Sequence, residues 1–284
     1  MSKFSSIFFI LHFFINSTLF GSNVIPFKLV NNLIIIEVDI EANKGNFILD
    51  TGSDAIFLNK NLTYNADKTS EFNTVNGEIA SEATKISFIK IGEIIKKNVP
   101  AYNANLNNIE KYLSLEITGI IGAEVFNPHS IYIDFFNKEI HFFKKAPSLS
   151  DFDFENNFAF EMVMGVPTVA LTIENKKYTF IMDSGASIHI MDPTVITSHP
   201  NHFDKLTSKV KVEALGNTSD ADISKYNIKN FYIGSSLISS SSCLVKDFSE
   251  FNAVGQPVIS GIISISRLTN KGLLLDFHRM KMYF

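Results

Sequence analysis

The chain contains a single cysteine, Cys243, in 284 residues. No disulfide can form within it, so its stability must come from packing. Tryptophan is absent, and so is any basic stripe. The 25 Lys and Arg against 29 Asp and Glu leave a formal charge of -4 with both signs interspersed. That balance excludes nucleic acid as an expected partner. Beyond the N-terminus no apolar run approaches the ~20 residues that span a bilayer, so no integral membrane segment is expected there. Helical periodicity is scarce, with Asn105 to Leu115 the best short candidate. Metal-ligand spacing is poor as well. His199 and His202 flank Pro200-Asn201 with no third ligand nearby in sequence, so they read as solvated loop histidines. No metal and no cofactor is expected.

What is present is apolar and β-prone. Hydrophobic residues make up 45 % of the chain, and 27 of its residues are Phe, ample for a large core. Lys3, the apolar run Ile7 to Ile15 (broken by His12) and the small pair Gly21-Ser22 read as a secretory signal over residues 1–22. The expected location is therefore exported, periplasmic or secreted. Leu33 to Ile40 and Thr168 to Ile173 are rich in β-branched residues. Turn-forming stretches follow them, around Asn43-Lys44-Gly45 and Glu174-Asn175-Lys176. Asn76-Gly77 is a strong hairpin signal, with Gly216-Asn217 a second tight turn. Asn137-Lys138 and Arg279-Met280 read as turns between closing strands.

The chain is written twice. Phe47-Ile48-Leu49 leads into Asp50-Thr51-Gly52-Ser53, and Phe180-Ile181-Met182 leads into Asp183-Ser184-Gly185-Ala186, 133 residues later. A second block recurs at an offset of 142: Gly119-Ile120-Ile121-Gly122 with Asp134-Phe135, then Gly261-Ile262-Ile263-Ser264 with Asp276-Phe277. Two blocks in the same order mark a duplicated lobe, with the nine extra residues in loops. The expected division is residues 23–147 and 148–284, joined by the polar stretch Lys145 to Asn157.

An Asp-Ser/Thr-Gly turn after an apolar strand has a chemical logic. The strand fixes the carboxylate on a rigid element, the glycine allows a tight turn, and the hydroxyl can lock it. One such tripeptide arises by chance in on the order of one chain in ten of this length. Two copies, each followed by its own Gly-Ile-Ile element, are a different matter. A pseudo-two-fold pairing of the lobes would bring Asp50 and Asp183 together, where they would share one proton and could activate a water.

In these residues the chain resembles the pepsin/retropepsin superfamily of aspartic peptidases. It is most similar to bacterial single-chain members whose lobes each resemble a retropepsin subunit. The resemblance implies an all-β fold of two pseudo-two-fold-related, barrel-like lobes with few short helices. It implies an aspartic endopeptidase, working as a monomer on peptide or protein substrates, with Asp50 and Asp183 catalytic. Thr51 and Ser184 would bond across the lobe interface, and Gly52 and Gly185 would support the carboxylates through the backbone. Ile120-Ile121-Gly122 would brace the first turn from behind, and the hairpin at Val75-Asn76-Gly77 would be a flap, with Leu215-Gly216-Asn217 its weaker counterpart. Two departures stand in the second lobe. Ser264 replaces the bracing glycine, and Ala186 stands where the first lobe has Ser53. A hydroxyl at that position can bond an ionised carboxylate, so Asp50 is expected to be the more readily ionised member. The alternative is a duplicated protease-like protein that has lost catalysis and binds peptides or a protein partner. Asp134 and Asp276 are read as structural, and His189 and Cys243 as packed.

Overall fold

The computed structural model describes residues 22–41, 43–60, 68–74, 77–126, 128–174, 176–212, 219–229, 232–233, 236–237, 241–253 and 258–284. The leader reading therefore lies almost wholly outside the described residues, as do Val75, Asn76, Leu215, Gly216 and Asn217.

The first half forms β1 (Ser22–Val30), β2 (Leu33–Ile40), β3 (Asn43–Asp50), β4 (Ile56–Asn59), β5 (Lys68–Thr74), β6 (Gly77–Ile91) and β7 (Ile94–Ala104). Helix α1 (Asn107–Leu113), β8 (Gly119–Gly122), β9 (Ser130–Asp134) and β10 (Glu139–Phe143) complete it. The second half has β11 (Asn157–Ala159), β12 (Glu161–Val163), β13 (Val166–Ile173), β14 (Lys176–Asp183), β15 (His189–Met191) and α2 (Pro193–Ser198). It continues through β16 (Phe203–Val212), β17 (Ser219–Ile228), β18 (Tyr232–Ile233), β19 (Ser236–Leu237) and β20 (Ser242–Val245). Last come α3 (Ser249–Asn252), β21 (Ile259–Ser264), β22 (Gly272–Asp276) and β23 (Lys281–Tyr283). The fold is all-β with a few short helices. No helix among the described residues is long and apolar enough to cross a membrane.

In the first lobe, β2-β3-β8-β4-β7-β6 closes into a barrel, because β6 pairs back onto β2 at Ile40↔Ile89. The alternation of side chains along each strand decides what fills it. Phe47 and Leu49 point into the main core with Ile40, Ile56, Leu58 and Ile121. Ile48, between them, joins Ile35, Phe57 and Ile120 under Ile109 and Leu113 of α1. A strand covered on both faces reads as an unbroken apolar run, which is why Phe-Ile-Leu precedes Asp50. The second lobe repeats this: Phe180 and Met182 face the main core, while Ile181 packs on Phe248 and Ile262. Each such side chain contributes roughly 1.5–3 kcal/mol by burial.

The lobes share one sheet. Strands β11-β23-β22-β9-β10-β1 run continuously across the seam, with β22 and β9 antiparallel at Leu273↔Ile133 and Leu274↔Tyr132. Ile131, Ile133, Leu273 and Leu275 are fully buried beside it. Asp276 is buried there too, accepting from Ser130 Oγ at 2.9 Å and pairing with Arg279. Asp134 accepts the Asn137 N–H at 2.9 Å and so closes the β9–β10 turn. Both therefore serve the sheet.

Candidate active site

Strands β3 and β14 deliver their last residues, Asp50 and Asp183, to the same place between the lobes. Each lies beside a parallel partner, Asp50↔Gly122 on β8 and Asp183↔Ser264 on β21. In each turn the glycine N–H donates to the carboxylate before it, Gly52 to Asp50 Oδ1 at 2.9 Å and Gly185 to Asp183 Oδ1 at 2.6 Å. The hydroxyls between them cross the lobe interface. The Thr51 N–H donates to Ser184 Oγ at 3.0 Å, and the Ser184 N–H donates to Thr51 Oγ1 at 3.0 Å. Thr51 Oγ1 in turn donates to the Met182 carbonyl at 2.9 Å, and Ser184 Oγ to the Leu49 carbonyl at 2.7 Å. Both residues are fully buried. Four bonds made by two hydroxyls hold the strand ends together, and losing one hydroxyl would strand a buried N–H at about 1–3 kcal/mol.

The carboxyl groups face each other within hydrogen-bonding reach. The two glycines permit this approach. A Cβ on Gly52 would fall 2.5 Å from the Asp183 carboxyl carbon, and one on Gly185 would fall 2.5 Å from that of Asp50. Burial, and for Asp50 the neighbouring Asp183 charge, hold both groups above the ordinary carboxylate range. As whole residues Asp50 and Asp183 are only partly buried.

The Ser53 hydroxyl does not take the role expected of it. It accepts from the Ala55 N–H at 3.2 Å and donates to the Ala55 carbonyl at 3.3 Å, so it closes its own turn and leaves Asp50 alone. Backbone donors, not hydroxyls, differ between the two acids. Gly185, Ala186 and Gly52 N–H groups favour the ionised form of Asp183, whereas Gly52 and Ser53 do so for Asp50. Asp183 thus has the larger set of backbone donors, and Ser53 gives Asp50 no side-chain hydrogen bond to offset it.

Behind the turns the lobes diverge. In the first, the Gly122 N–H donates to the Ala55 carbonyl at 3.0 Å and the Ala123 N–H to the Ser53 carbonyl at 2.8 Å. No side chain fits there, since a Cβ on Gly122 would meet both carbonyls at 2.6 Å. In the second, the Ser264 hydroxyl donates to the Ala186 carbonyl at 2.6 Å, and the Ser264 N–H donates to His189 Nδ1 at 3.1 Å. His189 is fully buried, and burial, reinforced by the Arg267 charge, pushes its pKa down to about 3. It is therefore neutral, and as an acceptor at Nδ1 it carries its proton on Nε2. The matching residue of the first lobe is Ile56, which pairs with Ile121. The His189 side chain thus compensates for the missing glycine, a role that no motif in the sequence marks. Sequence reading also missed Asn32. Its Nδ2 donates to the Ser187 carbonyl at 3.3 Å, and its own carbonyl accepts from Ser266 Oγ at 2.6 Å, tying the β1–β2 turn to the opposite lobe.

Of the other residues singled out, Gly77 begins β6, and Thr74↔Gly77 is the last pair of the β5–β6 hairpin. Cys243 is buried, its thiol pushed up to about 12 by burial. His199 is a correction: it is buried rather than solvated, because it packs beside Tyr178 at the end of α2.

Comparison with known proteins bears on the first lobe. The family model described as aspartyl protease matches residues 36–125, a span that holds the Asp50 turn and the Gly119–Gly122 brace. No curated protein gave a significant match.

Proposed function

We propose that this chain, which belongs to the aspartic peptidase superfamily, is an active endopeptidase that hydrolyses peptide bonds with a water held between Asp50 and Asp183. The observation that carries this reading is the facing pair of carboxyls, each closed over by the glycine of the opposite turn. Two carboxylates so close do not both ionise at moderate pH, and the pair retains one proton. The ionised member accepts a proton from water as the water attacks the scissile carbonyl carbon. The protonated member donates to the carbonyl oxygen, giving a tetrahedral diol. Collapse of the diol breaks the C–N bond as the amine nitrogen takes up a proton, and the pair returns to its singly protonated state. The donor pattern favours Asp183 as the base and Asp50 as the acid.

Thr51 and Ser184 keep the two acids in register, acting through their buried cross-lobe bonds. The β5–β6 hairpin is the candidate flap over an extended peptide. Both acids come from one chain, so the enzyme is proposed to work as a monomer. Its proposed location is outside the cytoplasm, on the strength of the N-terminal pattern alone.

The test is cleavage of a peptide library across pH by wild type, Asp50→Asn and Asp183→Asn, with and without a statine-type inhibitor. Wild type should cleave, and each variant should lose at least about 10³-fold in kcat. A wild type that binds peptides without cutting them would instead establish the inactive reading.

A further inference from the structure

At the far end of β14 from Asp183, the fold assembles a group of ligating atoms that the sequence scatters. The β13–β14 turn presents Glu174, and the segment after α2 presents His199 and His202. His199 Nδ1 lies 3.1 Å from Glu174 Oε2, and His202 Nε2 lies 3.4 Å from Glu174 Oε1. One ligand atom from each of the three residues lies within 4.8 Å of the others. From this arrangement we propose a binding site for a divalent transition metal, zinc above all, with Glu174, His199 and His202 as its protein ligands.

The chemistry suits that class of ion. Two imidazole nitrogens and a carboxylate are zinc donors, and bonds of 2.0–2.2 Å in a tetrahedron separate neighbouring ligand atoms by about 3.3 Å. The two nitrogen–oxygen separations, 3.1 and 3.4 Å, straddle that value, one to each oxygen of the Glu174 carboxylate. The histidine pair has only to close up, and Glu174, with its side chain 56 % exposed, is free to follow. His199 is also oriented as a ligand should be. Its other nitrogen, Nε2, lies 3.0 Å from the Tyr178 hydroxyl, and that contact fixes the ring while leaving Nδ1 pointed at the carboxylate. His202 follows Pro200 in a one-turn helix, which limits its freedom. Glu174 itself occupies a left-handed backbone position with φ of 54°, where Asn, Asp or Gly would sit with less strain. Lys176 is engaged elsewhere, standing over the Tyr178 ring at 5.0 Å from its centroid and reaching Ser198 Oγ at 3.5 Å. With three protein ligands and an exposed carboxylate, the fourth coordination position opens to solvent.

Without metal the same atoms form a hydrogen-bonded brace, and the experiment must separate the two. The full chain, stripped by chelation, is titrated with Zn²⁺ by calorimetry and with Co²⁺ by visible absorption. Thermal melting is followed in parallel. One equivalent should bind, raise the melting temperature and give a tetrahedral cobalt spectrum. Glu174→Gln keeps the size of the side chain and one acceptor oxygen for one of the two imidazoles but weakens the ligand, and His202→Ala leaves the buried His199 in place. Each should lower affinity at least tenfold while the metal-free melting temperature stays close to wild type. Tyr178→Phe should weaken binding by roughly 10-fold through ligand orientation. Asp50→Asn should bind metal as wild type does, which separates this site from the proposed active site. No binding at up to about 1 mM zinc, or equal binding by wild type, Glu174→Gln and His202→Ala, overturns the proposal.

Discussion

The two lobes solve one problem in different ways. Each must support a carboxylate at the end of a strand by packing a second strand behind its turn. The first lobe does so with main chain alone, and Gly122 is the residue that lets backbone meet backbone. The second lobe admits a side chain at that point and then spends two side chains, Ser264 and His189, on the contacts that the main chain makes in the first. The ladder records the exchange. Ile56 pairs with Ile121, whereas the described β15–β21 pairing begins one position later, at Ile190↔Ile262. Ser264 is therefore a substitution with its compensation in place. As a sign of lost activity it is weaker than the bare sequence implies.

The sharpest way to break the comparison is to impose one solution on the wrong lobe. Gly122→Ser places a Cβ 2.6 Å from two carbonyl oxygens and 2.7 Å from the Ala55 nitrogen, all backbone. Denaturant melts should show a loss of about 3 kcal/mol or more, and peptide cleavage should fall at least 100-fold. Ser264→Gly should be milder, about 1–3 kcal/mol, because it removes the hydroxyl's bonds to the Ala186 carbonyl and Ser266 Oγ and adds chain freedom without a clash. His189→Ile alone should cost a similar amount by stranding the Ser264 N–H. The pair His189→Ile with Ser264→Gly recreates the first lobe, so the double variant should be more stable than the sum of the singles predicts, by about 1 kcal/mol in a double-mutant cycle. Strict additivity would show that the two residues do not act as a unit.

The divergence also explains what could be read in advance. Both Asp turns, both Gly-Ile-Ile elements and the all-β class were visible because each is local: an apolar run, a turn, a repeat. Gly119 and Gly261 are both glycine for one reason, since a Cβ on either would meet the carbonyl of Phe57 or Ile190 within 2.4 Å. His189 could not be read this way. Its partner, Ser264, lies 75 residues off, and only the antiparallel β15–β21 pairing brings them together. The Glu174, His199 and His202 cluster was missed for the same reason, its third ligand arriving by way of a hairpin. The strand after the first turn also starts earlier than expected. Asn43 to Gly45 lie in β3, and the bend falls at Glu41, where φ is 51°. Lys44 lies opposite Asp39 in the β2–β3 ladder and pairs with Glu37 across it.

The His189 brace and the acid pair make opposite demands on pH. His189 has a folded pKa of about 3 against 6.5 ordinarily, so the stability it confers is present above about 6.5 and is lost as pH falls towards 3. At pH 5 that loss is about 2 kcal/mol, and His189→Ile should flatten the acid limb of a melting-temperature profile by that much. The acid pair runs the other way. Its proton affinity is raised by folding, so its contribution is complete below the ordinary carboxylate pKa of about 4 and is lost as pH rises through the folded values. Asp50→Asn and Asp183→Asn should therefore raise the melting temperature by a few degrees near pH 7 and by less at pH 4. The first lobe has no histidine at the matching site, so a working range near mildly acidic pH would be set by the second lobe's brace together with the dyad. A wild-type melting profile that rises steadily down to pH 3 would contradict the His189 assignment.

The smallest expected effect separates hydroxyl from backbone as the source of asymmetry between the two acids. If Ser53 tuned Asp50, Ser53→Ala would shift the upper limb of the pH–rate profile, and Ala186→Ser would shift it in compensation. The Ser53 hydroxyl instead bonds both backbone groups of Ala55, and Asp183 already has the larger set of N–H donors without any hydroxyl. Ser53→Ala should therefore cost about 1 kcal/mol of stability, from the loosened turn, and leave the apparent pKa values of kcat/KM within about 0.3 of wild type. A shift near a full unit would return the asymmetry to Ser53 and make Asp50 the base.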